Sequence, residues 1–432
     1  MKKVKKTGLN IFFWILTSAN IVAQESVQHI FAGGILDFNT EKIENNVLIT
    51  IKKGKIIEVE KNFNLSTLEN YIDLSDYTIL PGLIDCHTHL IGNWYMEQDE
   101  FDVYALPAAS YGIIGTVNAK KTLEAGFTTI RDLHSYFYGD VALRDAINKD
   151  WIIGPRMYVS GPALTITGGH GAFGNWLSPQ IEFKDKLVSI ADGEDEVRKE
   201  TRKHLKYKVD WVKIFATGGF GSYGTKPGAA SYTIQEIAAA VDEAGKRGIK
   251  VAAHAHGTEG IKNALLAGVT SIEHATFLDN ETIELLLQKE AFLSMDLLSA
   301  YYELIEKNKD FGDKGDDSNN NKMFESLLET FSKAYKKNVK IVFATDAGVY
   351  PHGRNAEQFS LMKEAGMKEI DIIKSATLTA AELLGIEDKI GSIEKGKLAD
   401  IVAIRGNPLT NIKLLENIPF VMKDGKIYKN EK

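Results

Sequence analysis

Two histidines stand two residues apart at the end of Leu80-Pro81-Gly82-Leu83-Ile84-Asp85-Cys86-His87-Thr88-His89. In a strand, alternate residues face the same side. His87 and His89 can therefore point together and chelate one ion, and neutral imidazole suits zinc and similar metals. The same pair could also be a polar layer on one strand. Three more potential ligands close apolar bursts: His254 after Val251-Ala252-Ala253, His274 after Ser271-Ile272-Glu273, and Asp346 after the run from Ile341 to Thr345. A single histidine in such a place is ordinarily structural. Several in one phase point to a metal cluster where strands finish.

Lys213 lies inside Trp211-Val212-Lys213-Ile214-Phe215, an otherwise apolar stretch. Burying its ammonium is costly without a partner. Desolvation lowers a lysine pKa and exposes a nucleophilic amine. That amine could take up carbon dioxide as a carbamate, a carboxylate-like bridge between two metals. It could equally pair with a buried acid such as Asp346.

The elements that must position these residues come in two rhythms. From about 26 to 80 the chain reads as short strands, with a hairpin over Val47 to Val59 around Lys52-Lys53-Gly54-Lys55. Asp400 to Ile404 and Pro419 to Tyr428, around Asp424-Gly425, read the same way. Neither end is large enough for its own core, so both are expected to build one small domain. Between them, apolar bursts (Thr128 to Arg131, Met157 to Ser160, Trp211 to Phe215, Lys250 to His254, Ser271 to His274, Phe292 to Asp296, Ile341 to Thr345) alternate with charge-studded helical segments. These include Glu194 to Tyr207, Ile234 to Arg247, Glu259 to Ala267 and Asp371 to Leu384. That alternation implies a parallel sheet. About eight repeats fit an α/β fold, a (β/α)8 TIM barrel, with a doubly wound open sheet as the alternative; no Gly-x-Gly-x-x-Gly loop supports a dinucleotide version. Glu306 to Lys322, rich in Lys, Asp, Asn and Gly, reads as a solvated loop or the frayed end of a helix, a surface insertion in either case.

Bulk composition agrees. The 432 residues suit a large barrel plus a small partner; 44% are hydrophobic and 25% charged, with a formal net charge of −7 and both signs mixed. No basic nucleic-acid footprint is present. Met1 to Lys6 carries four lysines, an apolar run follows from Leu9 to about Thr17, and small residues stand at Ser18, Ala19 and Ala23. This reads as a secretory signal peptide over 1–23, and as an exported (periplasmic or secreted) protein with no stable membrane span after cleavage. The one cysteine, Cys86, offers no internal disulfide. The expected layout is 1–23 signal, 24–80 with 385–432 as a small β-sandwich, and 81–384 as the barrel.

The Pro81–His89 segment, Lys213, His254, His274 and Asp346 together resemble the amidohydrolase superfamily. The resemblance covers nearly the whole chain after the signal. Gly391-Ser392-Ile393-Glu394-Lys395-Gly396-Lys397-Leu398-Ala399-Asp400 resembles that family's return into its small β-sandwich. Thr128-Thr129-Ile130-Arg131-Asp132, Trp211 through Gly219 and Glu273-His274-Ala275 are similar to the branch with imidazolonepropionase-like proteins, Xaa-Pro dipeptidases, arginine carboxypeptidases and ochratoxinase-like enzymes.

The resemblance implies two divalent metal ions, with zinc expected. His87 and His89 would bind the more buried one, His254 and His274 the other, carboxylated Lys213 would bridge, and Asp346 would ligate the first metal and handle the proton. A metal-bridging hydroxide would attack the peptide or amide bond of a dipeptide or N-acyl amino acid. A cyclic-amide, lactone or phosphotriester hydrolase on the same metals is the enzymatic rival, and a non-catalytic barrel is the rival of another class. His170, in Thr167-Gly168-Gly169-His170-Gly171, is a candidate carbonyl donor, catalytic and substrate-binding. His256 and Tyr232 are further substrate-binding candidates; the plainer roles are a support behind a metal ligand for His256 and a core tyrosine for Tyr232. Arg131 and Asp132 are expected to pair with each other. His29, His134, His204 and His352 are given structural roles, with 352–355 near the entrance. The partner is a small molecule or short peptide; homo-oligomerisation stays open.

Overall fold

The computed structural model describes residues 27–96, 102–172, 174–178, 180–181, 187–220, 222–306 and 317–431. The expected signal peptide lies outside them, as does most of the 306–322 insertion. The strands are β1 (Gln28–Asp37), β2 (Lys42–Lys52), β3 (Lys55–Glu60), β4 (Ile72–Pro81), β5 (Leu83–Thr88), β6 (Phe127–Asp132), β7 (Arg156–Val159) and β8 (Leu164–Thr165). They continue with β9 (Ser189–Ile190), β10 (Trp211–Phe215), β11 (Lys250–Ala255), β12 (Ser271–His274), β13 (Phe292–Ser294), β14 (Ile401–Ile404), β15 (Phe420–Lys423) and β16 (Lys426–Asn430).

Both chain ends build one seven-stranded sheet in the order β16-β15-β14-β4-β1-β2-β3. The hairpin turns at Lys53-Gly54 (φ 55° and 72°) and Asp424-Gly425 (φ 51° and 75°) hold two successive left-handed residues. Such turns match the right-handed twist of the flanking strands. Where a two-layer sandwich was expected, the structure has a single sheet that bends back on itself. Register shifts at Ala32/Gly34, Thr50/Ile51 and Val421/Met422 interrupt its ladders, and bulges of this kind increase bend and twist. The tip of the β2–β3 hairpin consequently reaches the segment before β14: Ile56 N donates to Lys397 O at 2.9 Å and Ala399 N to Gly54 O at 2.8 Å. Ile30, Val47, Ile49, Ile79, Ile401 and Phe420 form its apolar core.

The chain leaves this sheet through one residue. β4 ends at Pro81 and β5 begins at Leu83. A Cβ on the intervening Gly82 would lie 2.2 Å from Thr128 Oγ1, so only glycine fits. Its N–H donates to Asp400 O at 2.8 Å.

The inner strands are parallel: β5-β6-β7 in one run and β13-β12-β11-β10-β8-β9 in the other. Backbone bonds join the two runs. Residues 341–346 lie between β13 and β5, with Val342 N donating to Leu293 O (3.0 Å), Cys86 N to Phe343 O (2.9 Å) and Asp346 N to His87 O (2.8 Å). On the far side, Asp210 N donates to Val159 O at 2.8 Å. Helices alternate with these strands. Ile234–Gly245 shows why: Thr233 and Glu236 form a reciprocal capping box, and Ile237, Ala240 and Ala244 recur at helical spacing on the buried face. The single helix expected over 371–384 is two, Glu369–Ser375 and Leu378–Leu384. The break falls at Thr377, whose φ of −137° and ψ of −89° are non-helical, and Ile84 N takes the Ala376 carbonyl. The far end of the 306–322 segment belongs to a helix, the second of its two expected forms, which runs from Asp317 to Lys336. Among the described residues, no helix is long and apolar enough to cross a membrane.

Candidate metal centre

The strand ends converge on a cavity of about 610 Å³. His87, His89, Lys213, His254, His274 and Asp346 all line it, together with His170 and His256. β5 delivers His87 and leads directly to His89; β10 carries Lys213, β11 His254 and β12 His274. Asp346 lies where 341–346 passes β5. Its backbone is left-handed (φ 58°), as are His274 (72°), Ala275 (52°) and His134 (111°). These are unfavourable conformations for residues with a Cβ, and four of them meet at this site.

Three groups of ligand atoms come together, each with its atoms within 4.8 Å of one another: His87, His89 and Asp346; His254, His256 and His274; and His274, Asp296 and Asp346. The third group joins the other two. His89 Nε2 lies 2.7 Å from Asp346 Oδ1, while its Nδ1–H donates to the His134 carbonyl at 3.1 Å. That second contact orients the ring and leaves Nε2 as the ligand atom. His274 Nδ1 lies 2.8 Å from Asp296 Oδ1, leaving its Nε2 for the cavity.

Electrostatics suit cations. Burial lowers His87 to about 3, with Lys213 adding to the effect, and lowers His254 and His256 well below the ordinary imidazole range. Neutral imidazoles are the ligand form. Burial would raise the Asp346 carboxyl, but facing imidazoles, His87 and His89 foremost, hold it well below its usual range. Burial would lower His274, but the charge and hydrogen bond of Asp296 raise it. Buried His254 Nε2 has no hydrogen-bond partner among the described residues, a costly state that a metal would relieve. The donor set therefore fits divalent cations.

Lys213 is 1% exposed, its Nζ 3.4 Å from His87 Nε2. Burial lowers it to about 8, against the pull of Glu273 and Asp346.

Arg131 does not pair with Asp132. Its guanidinium spans the interior to Glu273 (2.9 and 3.1 Å), Ser271 Oγ (2.9 Å) and the Cys86 carbonyl (2.6 Å). Neighbouring strand residues point to opposite faces, so Asp132 instead takes the Leu90 N–H at 2.6 Å. Burial would raise Glu273, but Arg131 holds it well below the usual range. Its Oε2 reaches within 3.1 Å of His87 Nδ1, behind a metal-ligand candidate.

His170 and His256 both face the cavity, and burial lowers His170 to about 3. His256 Nδ1 lies 2.8 Å from Thr276 Oγ1, and its grouping with His254 and His274 makes it a ligand candidate as well as a substrate one. Tyr232 corrects the expectation: it is a core tyrosine whose hydroxyl donates to Ala191 O at 2.9 Å, away from the cavity. His352 is also internal, bonding the His89 carbonyl at 3.1 Å. Arg354 ties Glu306 and Glu357 together. His204 contacts Tyr138, and His29 contacts Thr50. His134, given a structural role from sequence, both orients His89 and lines the cavity. Asp296 was missed, although it closes its own apolar burst as His254 and His274 do. Glu303 and Leu304, before the insertion, and Met323 and Leu327 from Asp317–Lys336 complete the wall.

The pattern described as the amidohydrolase family matches residues 78–428. Among curated proteins, the chain is 29% identical to an ochratoxinase of Aspergillus niger over 428 residues, covering 94% of this chain and 87% of that protein. It is 24% identical to an imidazolonepropionase of Fusobacterium nucleatum over 404 residues, covering 84% and 86%. Among solved structures, a Xaa-Pro dipeptidase with methionine bound in its active site superposes with a TM-score of 0.86 at 36% identity, covering 94% of this chain and all of that one.

Proposed function

The chain belongs to the amidohydrolase family, and from that premise we propose that it is a two-metal hydrolase cleaving the peptide or amide bond of a dipeptide or N-acyl amino acid. The observation that carries this is the pair of buried ligand groups joined through His274 and Asp346 in one cavity. We read the inner strands, closed through 341–346, as a (β/α)8 barrel with the site at its C-terminal mouth. We read the outer sheet as a small accompanying domain built from both chain ends, within 27–80 and 385–431. The leader read in 1–23 supports export.

His87, His89 and Asp346 would hold one cation, and His254 and His274 a second, with Lys213 bridging as a carbamate. Two cations, zinc by the imidazole and carboxylate chemistry, would acidify a bound water and polarise the substrate carbonyl. Asp346, held ionised, accepts the proton of the attacking water and returns it to the leaving amine. His170 donates from its ring to the carbonyl oxygen as negative charge develops. The likeness to a Xaa-Pro dipeptidase supports a peptide bond; the likeness to an imidazolonepropionase favours cyclic amides as the second reading.

Lys213 makes its own test. An amine lowered to about 8 is largely neutral above that pH, where an ordinary lysine is still protonated. Its nitrogen then adds to carbon dioxide and releases one proton. Uptake of 13C-bicarbonate, read by 13C NMR, is expected to rise as pH climbs through 8 and to vanish in Lys213→Ala. Metal analysis should find about two ions per chain; none after supplementation would support a non-catalytic barrel. Zinc-loaded protein is then assayed against dipeptides, N-acyl amino acids, cyclic amides, lactones and phosphotriesters. Silence toward every dipeptide and N-acyl amino acid rejects the proposal.

A further inference from the structure

The proposed hydrolysis places a ring donor, His170, at the substrate carbonyl, and the role inferred here for Ser222 rests on that reading. A neutral imidazole has one N–H, so the nitrogen that carries it decides whether the ring gives or takes a hydrogen bond. His170 is enclosed on several sides. It stacks on His254 with centroids 4.3 Å apart and packs against Phe215 at 4.7 Å. Gly219 lies against its face: a Cβ there would come within 2.5 Å of Cε1 and 2.8 Å of both ring nitrogens. Nδ1 lies 2.8 Å from Ser222 Oγ. Nε2 has no hydrogen-bond partner among the described residues, and the ring lines the cavity.

Ser222 supplies the direction of the bond. The Gly171 backbone N–H donates to Ser222 Oγ at 2.9 Å, and a backbone N–H cannot accept. The serine oxygen is therefore already an acceptor. Among the described residues its own proton has one acceptor in reach, His170 Nδ1. We propose that Ser222 is a positioning residue that donates to His170 Nδ1, keeps the ring proton on Nε2 and so presents a donor to the substrate carbonyl.

Surrounding bonds make the arrangement a unit. Asn175 Nδ2 donates to both Gly169 O and Tyr223 O at 3.2 Å, bridging the two loops. Thr225 Oγ1 lies 3.2 Å from Gly219 O and 3.1 Å from Ser222 O. Thr165 Oγ1 donates to the His170 carbonyl at 2.8 Å.

The test uses zinc-loaded full-length protein with 15N-labelled histidine, the His170 signals assigned by their loss in His170→Gln. The expected spectrum has His170 Nδ1 unprotonated and Nε2 protonated. A protonated Nδ1 in the unaltered protein overturns the proposal, whatever any variant does. In Ser222→Ala the two nitrogens should move toward a mixture. The kcat for the best amide substrate should fall about tenfold, less than for loss of a whole oxyanion donor, with KM within twofold. Ser222→Thr, which keeps the hydroxyl, should restore both spectrum and kcat. An unchanged kcat in Ser222→Ala despite an altered spectrum also overturns the role. Absence of any amide turnover would strike the proposed function instead, and the nitrogen spectrum would still decide the tautomer.

Discussion

The outer sheet and the inner strands meet at Gly82, yet they bury opposite chemistry. The outer sheet hides Ile30, Val47, Ile49, Ile79, Ile401 and Phe420. The inner strands hide Lys213, Arg131, Glu273, Asp346 and the cavity histidines. Desolvating charges and imidazoles is costly unless they are paired, hydrogen-bonded or bound to metal. Burying aliphatic surface is favourable by about 25 cal/mol per Å². The inner strands also bury an apolar core of their own, with Leu83, Ile130, Val212 and Ile272 in it, but the costly polar burial is concentrated at the cavity, so substitutions there and in the outer sheet should register in different measurements.

The largest effect should come from the inner side. Asp346→Asn keeps the shape of the side chain but cannot accept a proton. Turnover should fall by about 10³-fold or more, in line with loss of acid–base and charge contributions, while metal analysis still finds bound ions. Near-normal turnover in that variant would break the division at its most important residue. Next comes the outer sheet. Ile79 is fully buried in β4, opposite Ile35 and Ala403. Ile79→Ala should cost about 2–4 kcal/mol in denaturant unfolding, with kcat of the folded fraction within twofold. A large kcat change at unaltered stability would show that the two regions are coupled. Tyr232→Phe gives the smallest effect and sharpens the boundary. It removes one hydroxyl bonded to the Ala191 carbonyl and should cost about 1 kcal/mol of stability. KM should stay unchanged; a rise in KM would return Tyr232 to the substrate.

Local signals made much of this legible from sequence. His87, His89, His254 and His274 each close an apolar run, and strand periodicity alone put them in phase. Lys213 announced itself as an ammonium in a run with nothing else polar. The turns at Lys53-Gly54 and Asp424-Gly425 were legible because left-handed positions favour glycine. Partners distant in sequence were not. Arg131 meets Glu273 only because β6 and β12 face each other across the interior. Tyr232 sits beside functional loops in sequence, but its ring turns into the core. The rolled single sheet could not be told from a sandwich, because alternation gives the buried face of a strand and says nothing of where the ladder bends. Asp296 carried the same strand-end signal as the histidines, yet one aspartate at the end of an apolar run also suits a helix cap.

The position of β4 between β1 and β14 has a consequence for synthesis. Three members of its sheet, β1 to β3, leave the ribosome early, whereas β14 to β16 are translated last. Until they emerge, the edge of β4 from Thr78 to Pro81 that β14 covers has no partner of its own. An open apolar strand edge is a template for pairing with another chain. Nascent chains and products of premature termination therefore share one sticky edge, and translation of the final strands is what seals it.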